Sequence, residues 1–191
     1  YYLAEEAFRY QKPKVILLET YYFKLQKPYA REERMRVVSD GMKMGKVKVE
    51  MLDELMPDLN WKEKLEWYLP FIVYHGRWSE LKDIDFHNDC WYKGTKLTKT
   101  VDHNVTDPGL SEVEPKELTA YTLDYLERIN QLCKENGASL VLFSSPYGIG
   151  DEMKYKSFLK NQAIQMGIAE TASEMNIPCL YYQRTKDAGI D

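Results

Sequence analysis

Apolar residues along this chain follow two rhythms. Three short runs are continuous: Val-Ile-Leu-Leu at 15–18, Leu-Val-Leu-Phe at 140–143, and Cys-Leu-Tyr-Tyr at 179–182. A continuous run of that length predicts a strand buried on both faces, the kind a parallel α/β sheet uses. A helical rhythm precedes each run. Leu3, Ala7 and Tyr10 open the chain at helical spacing, before Pro13 and a strand over 14–20. Leu118, Tyr121, Tyr125, Leu126, Ile129 and Cys133 form a second stripe. Glu114-Pro115 starts that helix, since proline suits a first turn, and Asn136-Gly137 stops it. Ile164, Ile168, Ala172 and Met175 mark a third helix over about 157–176, which Ile177-Pro178 ends. Helix, short loop and strand, repeated, predict a doubly wound parallel sheet with residues 15–18 as a central strand.

Residues 24–113 interrupt this rhythm as one long insertion. Its first part, 32–56, is charged, rich in methionine and predicted helical. Asn60 is placed to cap another helix, with Glu63 in position for the reciprocal contact. Pro70 ends or kinks that helix. A turn-rich polar stretch to Gly109 follows Phe71–Trp78 and predicts loop.

Composition narrows the class without naming a function. The chain has 191 residues, 44% hydrophobic and 29% charged, which describes a soluble globular domain with a sizeable core. A net charge of −4 argues against nucleic acid as a partner. Cys90, Cys133 and Cys179 are too few and too scattered for a disulfide framework; the last two are expected as small buried hydrophobes. No apolar run is long enough to span a membrane. The chain opens on an uncapped helix and closes just past a strand, so a single α/β domain over 1–191, incomplete at both ends, is the expectation.

Polar and aromatic groups cluster where strands end. Glu19, Thr20, Tyr21 and Tyr22 follow the first run, and Ser144, Ser145, Pro146, Tyr147 and Gly148 follow the second. Open α/β sheets bind ligands at the carboxyl ends of their strands, so these positions are candidate pocket walls. Glu19 suits either a site carboxylate or a local ion pair. Ser145 lacks the flanking glycines of a nucleophile elbow, which favours pocket lining or a plain turn. His75, between Tyr74 and Gly76-Arg77-Trp78, suits an acid–base or oxyanion-donor role, or an anchor for the insertion. His87, Cys90 and His103 supply three ligands of a zinc site but not the usual four, unless Asp89 or Asp102 joins them, so no metal is expected. Phosphate-cradling glycine patterns are absent, which leaves a nucleotide or flavin binder without its loop and no cofactor expected. Asn104-Val105-Thr106 matches a glycosylation sequon by pattern alone.

Three stretches resemble the SGNH/GDSL hydrolases, in a branch found in bacterial cell envelopes: residues 10–22, residues 70–81 with Tyr74-His75-Gly76-Arg77-Trp78, and 140–146 joined with 177–179. The resemblance implies a three-layer α/β/α fold around a flavodoxin-like parallel sheet. It implies an acyl esterase or O-acyltransferase working on an envelope glycan, through a nucleophilic Ser and an Asp-x-x-His pair expected outside these residues. The family's Gly-x-Asn-Asp block aligns with residues 19–22, where Glu19 replaces the Gly and Tyr21 the Asn. Tyr21 and His75 then stand as catalytic candidates. Glu19, Thr20, Arg77, Trp78, Ser145 and Tyr147 stand as substrate contacts. The partner implied is an acylated glycan or another small ester, with membrane association only through segments outside this chain. The rival expectation is a non-catalytic carbohydrate-binding or scaffolding domain that keeps the fold.

Overall fold

A computed structural model describes residues 1–21, 23, 32–83, 91–92, 95–96, 113–145 and 152–182. The chain divides into two compact units, one made of Tyr1–Ala30 with Asn104–Asp191 and the other of Arg31–His103. The protein is mixed α/β, with its parallel sheet in the first unit.

In that unit α1 (Tyr2–Tyr10) leads through Pro13 into β1 (Val15–Glu19). Helix α6 (Ala120–Glu135) leads into β4 (Ser139–Ser144), and α7 (Glu152–Glu174) into β5 (Cys179–Tyr181). The three strands are parallel in the order β1-β4-β5, with Leu18 opposite Leu142 and Leu142 opposite Cys179. Gly137, at φ 66°, closes α6 in the left-handed conformation that glycine adopts without strain, and Asn136 occupies its C-cap. Asn176, at φ 54°, turns the chain out of α7 toward Pro178.

One face of this sheet holds the core. Leu140 and Leu142 of β4, with Ile16 and Leu18 of β1, pack on Leu126, Ile129 and Cys133 of α6 and on Ile164, Ile168 and Ala172 of α7. Each fully buried Leu or Ile contributes about 1.5–3 kcal/mol relative to exposure. On the opposite face Val15, Leu17 and Leu180 are exposed by 54%, 58% and 46%. The expectation of strands buried on both faces is therefore corrected for β1, whose apolar residues are half outward. Topology supplies the reason. Strands added in one direction, each through a right-handed crossover, put both crossover helices on the same side. Among the described residues the sheet has one helical layer, and β1 lies at its edge with β4 in the centre.

The predicted helix start at Glu114-Pro115 is also corrected. Residues 113–119 are non-helical, and α6 begins after Thr119, whose hydroxyl accepts from Thr122 N at 3.4 Å. The segment before it lies along α7 instead, where Lys116 N donates to Ala163 O at 2.9 Å. Gly167 permits that approach, since a Cβ there would stand 2.0 Å from Lys116 O.

The second unit carries α2 (Glu32–Ser39), α3 (Lys46–Leu55), α4 (Trp61–Tyr68) and α5 (Pro70–Tyr74), then a 3-10 turn over His75–Glu80. Asn60 caps α4 by accepting from Lys62 N and Glu63 N, and Glu63 accepts from Asn60 N in return. Pro70 takes the first position of α5, so α4 stops where the sequence predicts. Within the stretch expected as loop, β2 (Trp91–Tyr92) and β3 (Thr95–Lys96) form a short antiparallel pair.

Candidate functional site

The parallel strands end together at Glu19, Ser144 and Tyr181, and their side chains have different fates. Thr20 is 1% exposed. Its N–H donates to Phe143 O at 2.9 Å, extending the β1–β4 ladder by one bond. Its hydroxyl donates to Gln165 Oε1 at 2.7 Å, with Phe143 O also in reach at 3.1 Å, and Gln165 Nε2 donates back to Thr20 O at 3.1 Å. The pair fastens α7 to the end of β1. Removing one partner of such a buried pair costs about 1–3 kcal/mol, because the other is left unsatisfied.

Glu19 accepts from Tyr21 N at 3.1 Å, so its carboxylate closes the turn after β1. The backbone N–H groups of Thr20 and Tyr21 are thus both engaged within the chain. Tyr21 itself is half-buried. Ser144 is buried, and its hydroxyl donates to Tyr182 O at 2.9 Å while accepting from Tyr182 N at 3.0 Å. Ser145, one residue on, is exposed. Tyr147 and Tyr22 lie outside the described residues, as do His87, Cys90, His103 and the sequon at Asn104.

Beyond β4 and β5, Ser144, Ser145, Tyr181 and Tyr182 face Phe158, Asn161, Gln162 and Gln165 of α7 across a narrow cavity of about 10 Å³. Hydroxyls, amides and aromatic rings make up this wall, with no fully charged side chain among the described lining residues. A phosphate or carboxylate would find no counter-charge here. A neutral hydroxyl-bearing group meets donors and acceptors suited to it. Asn161 Oδ1 is buried and has no hydrogen-bond partner among the described residues. The sequence reading missed Asn161, Gln162 and Gln165. Their signal was there: Gln165 follows Ile164 and precedes Ile168, an amide inside an apolar stripe.

The other predicted residues belong to the second unit. His75 Nδ1 donates to Ile72 O at 2.7 Å, which leaves Nε2 as the outward nitrogen. Phe71 meets the His75 ring at 5.9 Å and Trp78 edge-on at 5.5 Å. His75, Arg77 and Trp78 are all exposed on the 3-10 turn. A shallow groove of about 520 Å³ in the same unit is lined by Glu33, Arg36, Val37, Asp40 and Tyr74. Its cation is already satisfied. Arg36 stacks 3.9 Å over the buried Trp67 ring and donates to Glu66 O at 3.0 Å, with Glu32 and Asp40 close by. Tyr74 donates to Asp40 at 2.7 Å, and that bond is the main cause holding its phenol above the ordinary value. Lys48, 1% exposed, is pushed below the ordinary lysine value by burial, with Asp40 opposing and Arg36 adding to the fall.

The described residues contain no group of three or more acidic, His or Cys side chains able to hold a metal ion. Among them no helix is long and apolar enough to cross a membrane. Burial raises the Cys133 and Cys179 thiols, which makes both poor nucleophiles near neutral pH. Comparisons with protein-family models, curated proteins and solved structures find no match to this chain.

Proposed function

We propose that this chain recognises a neutral, hydroxyl-rich glycan at the carboxyl ends of its parallel strands, as a binding or scaffolding domain. One observation carries the reading: the cleft beyond β4 and β5 is walled by serine, asparagine, glutamine and tyrosine side chains, with no charged chain among the described lining residues. Sugars present hydroxyl groups, and amides and hydroxyls in this wall are suited to receive one of them. The likeness of residues 10–22 and 140–146 to SGNH/GDSL hydrolases supports the same ligand class. The engagement of Thr20 N and Tyr21 N with Phe143 O and the Glu19 carboxylate favours binding over catalysis, because an oxyanion hole needs free donors there.

A second reading, acyl esterase or O-acyltransferase on that glycan, rests on the same likeness, with Ser145, exposed at the end of β4, as a substrate contact. Calorimetric titration with a neutral gluco-oligosaccharide and with an oligomer of hexuronic acid tests the binding proposal. Heat from the neutral sugar alone supports it; preference for the acidic sugar, or no heat from either, sinks it. Nitrophenyl acetate and a serine-directed phosphonate test the second reading. Turnover together with serine labelling is what it requires.

A further inference from the structure

We infer that Asn161 Oδ1 is the acceptor for one O–H donor, a water or a ligand hydroxyl, seated in the cavity beyond β4 and β5. Two polar groups beside it are already engaged. Gln165 uses both ends of its amide on Thr20, and Ser144 both donates to and accepts from Tyr182. Those bonds fix the rotamers of two walls and leave neither able to turn inward. Asn161 Oδ1 is a buried acceptor on the third wall with no partner among the described residues. A buried acceptor of this kind is completed by ordered water or by a ligand in the great majority of proteins.

Size and charge narrow the donor. The cavity, about 10 Å³, has room for about one water-sized group and none for a whole sugar ring. An ammonium is disfavoured, since no carboxylate stands among the described lining residues to balance it. A neutral O–H remains. Water supplies it in the free chain. If the glycan proposal holds, one sugar hydroxyl supplies it in the complex, with the ring outside the cavity. The water site does not depend on the glycan.

The experiment is a high-resolution crystal structure of the full chain, free and soaked in methyl glucoside, together with the melting temperature of Asn161→Leu. An oxygen about 2.8 Å from Oδ1 in the free crystal, and a lowered melting temperature for the variant, support the inference. In the soaked crystal, a sugar hydroxyl at that position identifies the ligand as a second source; the same water unmoved identifies solvent as the source and counts only against the glycan proposal. A dry cavity, or an Asn161→Leu variant that melts higher because an unsatisfied acceptor has been removed, overturns it. Should Asn161→Leu not fold, the free crystal decides alone.

Discussion

Gly167 is where this fold is least forgiving. Replacing it by alanine puts a Cβ 2.0 Å from Lys116 O and 2.9 Å from Lys116 C. Both are backbone atoms, so no side chain can swing aside. Relief requires residues 113–119 to lift off α7, which breaks the 2.9 Å bond from Lys116 N to Ala163 O. Overpacking of this kind costs about 1–3 kcal/mol and the lost bond about 1 more. Alanine's better helix propensity returns about 1 kcal/mol. The net expectation is a loss of about 1–3 kcal/mol, or roughly 2–12 °C in melting temperature for a chain this size. The assay is thermal and urea unfolding by circular dichroism, with Gly76→Ala as control, because a Cβ at Gly76 meets nothing within 4 Å. An alanine variant at 167 as stable as the native chain would refute the packing of this segment on α7.

Other expectations follow from the same geometry. Thr20→Val keeps the shape but strands Gln165 Oε1, so urea unfolding is expected to show a loss of about 1–3 kcal/mol, with Thr20→Ser milder; equal losses would argue against the hydroxyl's role. Leu142, fully buried, and Leu17, 58% exposed, separate a one-sided sheet from a two-sided one. Leu142→Ala is expected to cost about 2–5 kcal/mol and Leu17→Ala under about 1, and comparable costs would mean that the outer face is covered. For Lys48, the folded value lies below the unfolded 10.5, so the folded chain releases this proton first. Below both values the burial penalty is present in full, and it fades as pH rises from the lowered value toward 10.5. Lys48→Met should therefore unfold at higher urea than the native chain at neutral pH, with the gap narrowing toward alkaline pH; a gap constant with pH contradicts the assignment.

Local chemistry carried much of this fold in its letters. The Asn60–Glu63 capping box, Pro70 at a helix start and Gly137 at a helix end each act within a few residues, and each stands where its pattern points. Strands β1, β4 and β5 were equally legible, because each short apolar run follows a helix and a turn signal; the run Phe71–Tyr74, which opens on Pro70, is helical instead. Burial was not. Whether Leu17 faces a helix depends on the direction in which strands are added, which a single run does not encode. The helix over 114–119 misled because Pro115 fits a first turn as well as an extended segment, and only Gly167, fifty residues on, decides between them. Site residues divide the same way. Thr20 was visible as a polar residue at a strand end, but its partner Gln165 lies on a distant helix, so its hydroxyl's engagement could not be read. His75, Arg77 and Trp78 belong to the second compact unit, Arg31–His103, which falls within the stretch read as an insertion over 24–113.

Glycan recognition at the strand ends is most directly tested by residue. Titrating the isotopically labelled chain with a neutral gluco-oligosaccharide, and following side-chain amide and backbone NMR signals, tests it in one experiment. Binding at the strand ends predicts saturable shifts at Ser144, Ser145, Asn161, Gln162 and Tyr181, with the Asn161 amide among the largest. Saturable shifts confined to other residues, or none at millimolar sugar, would contradict it.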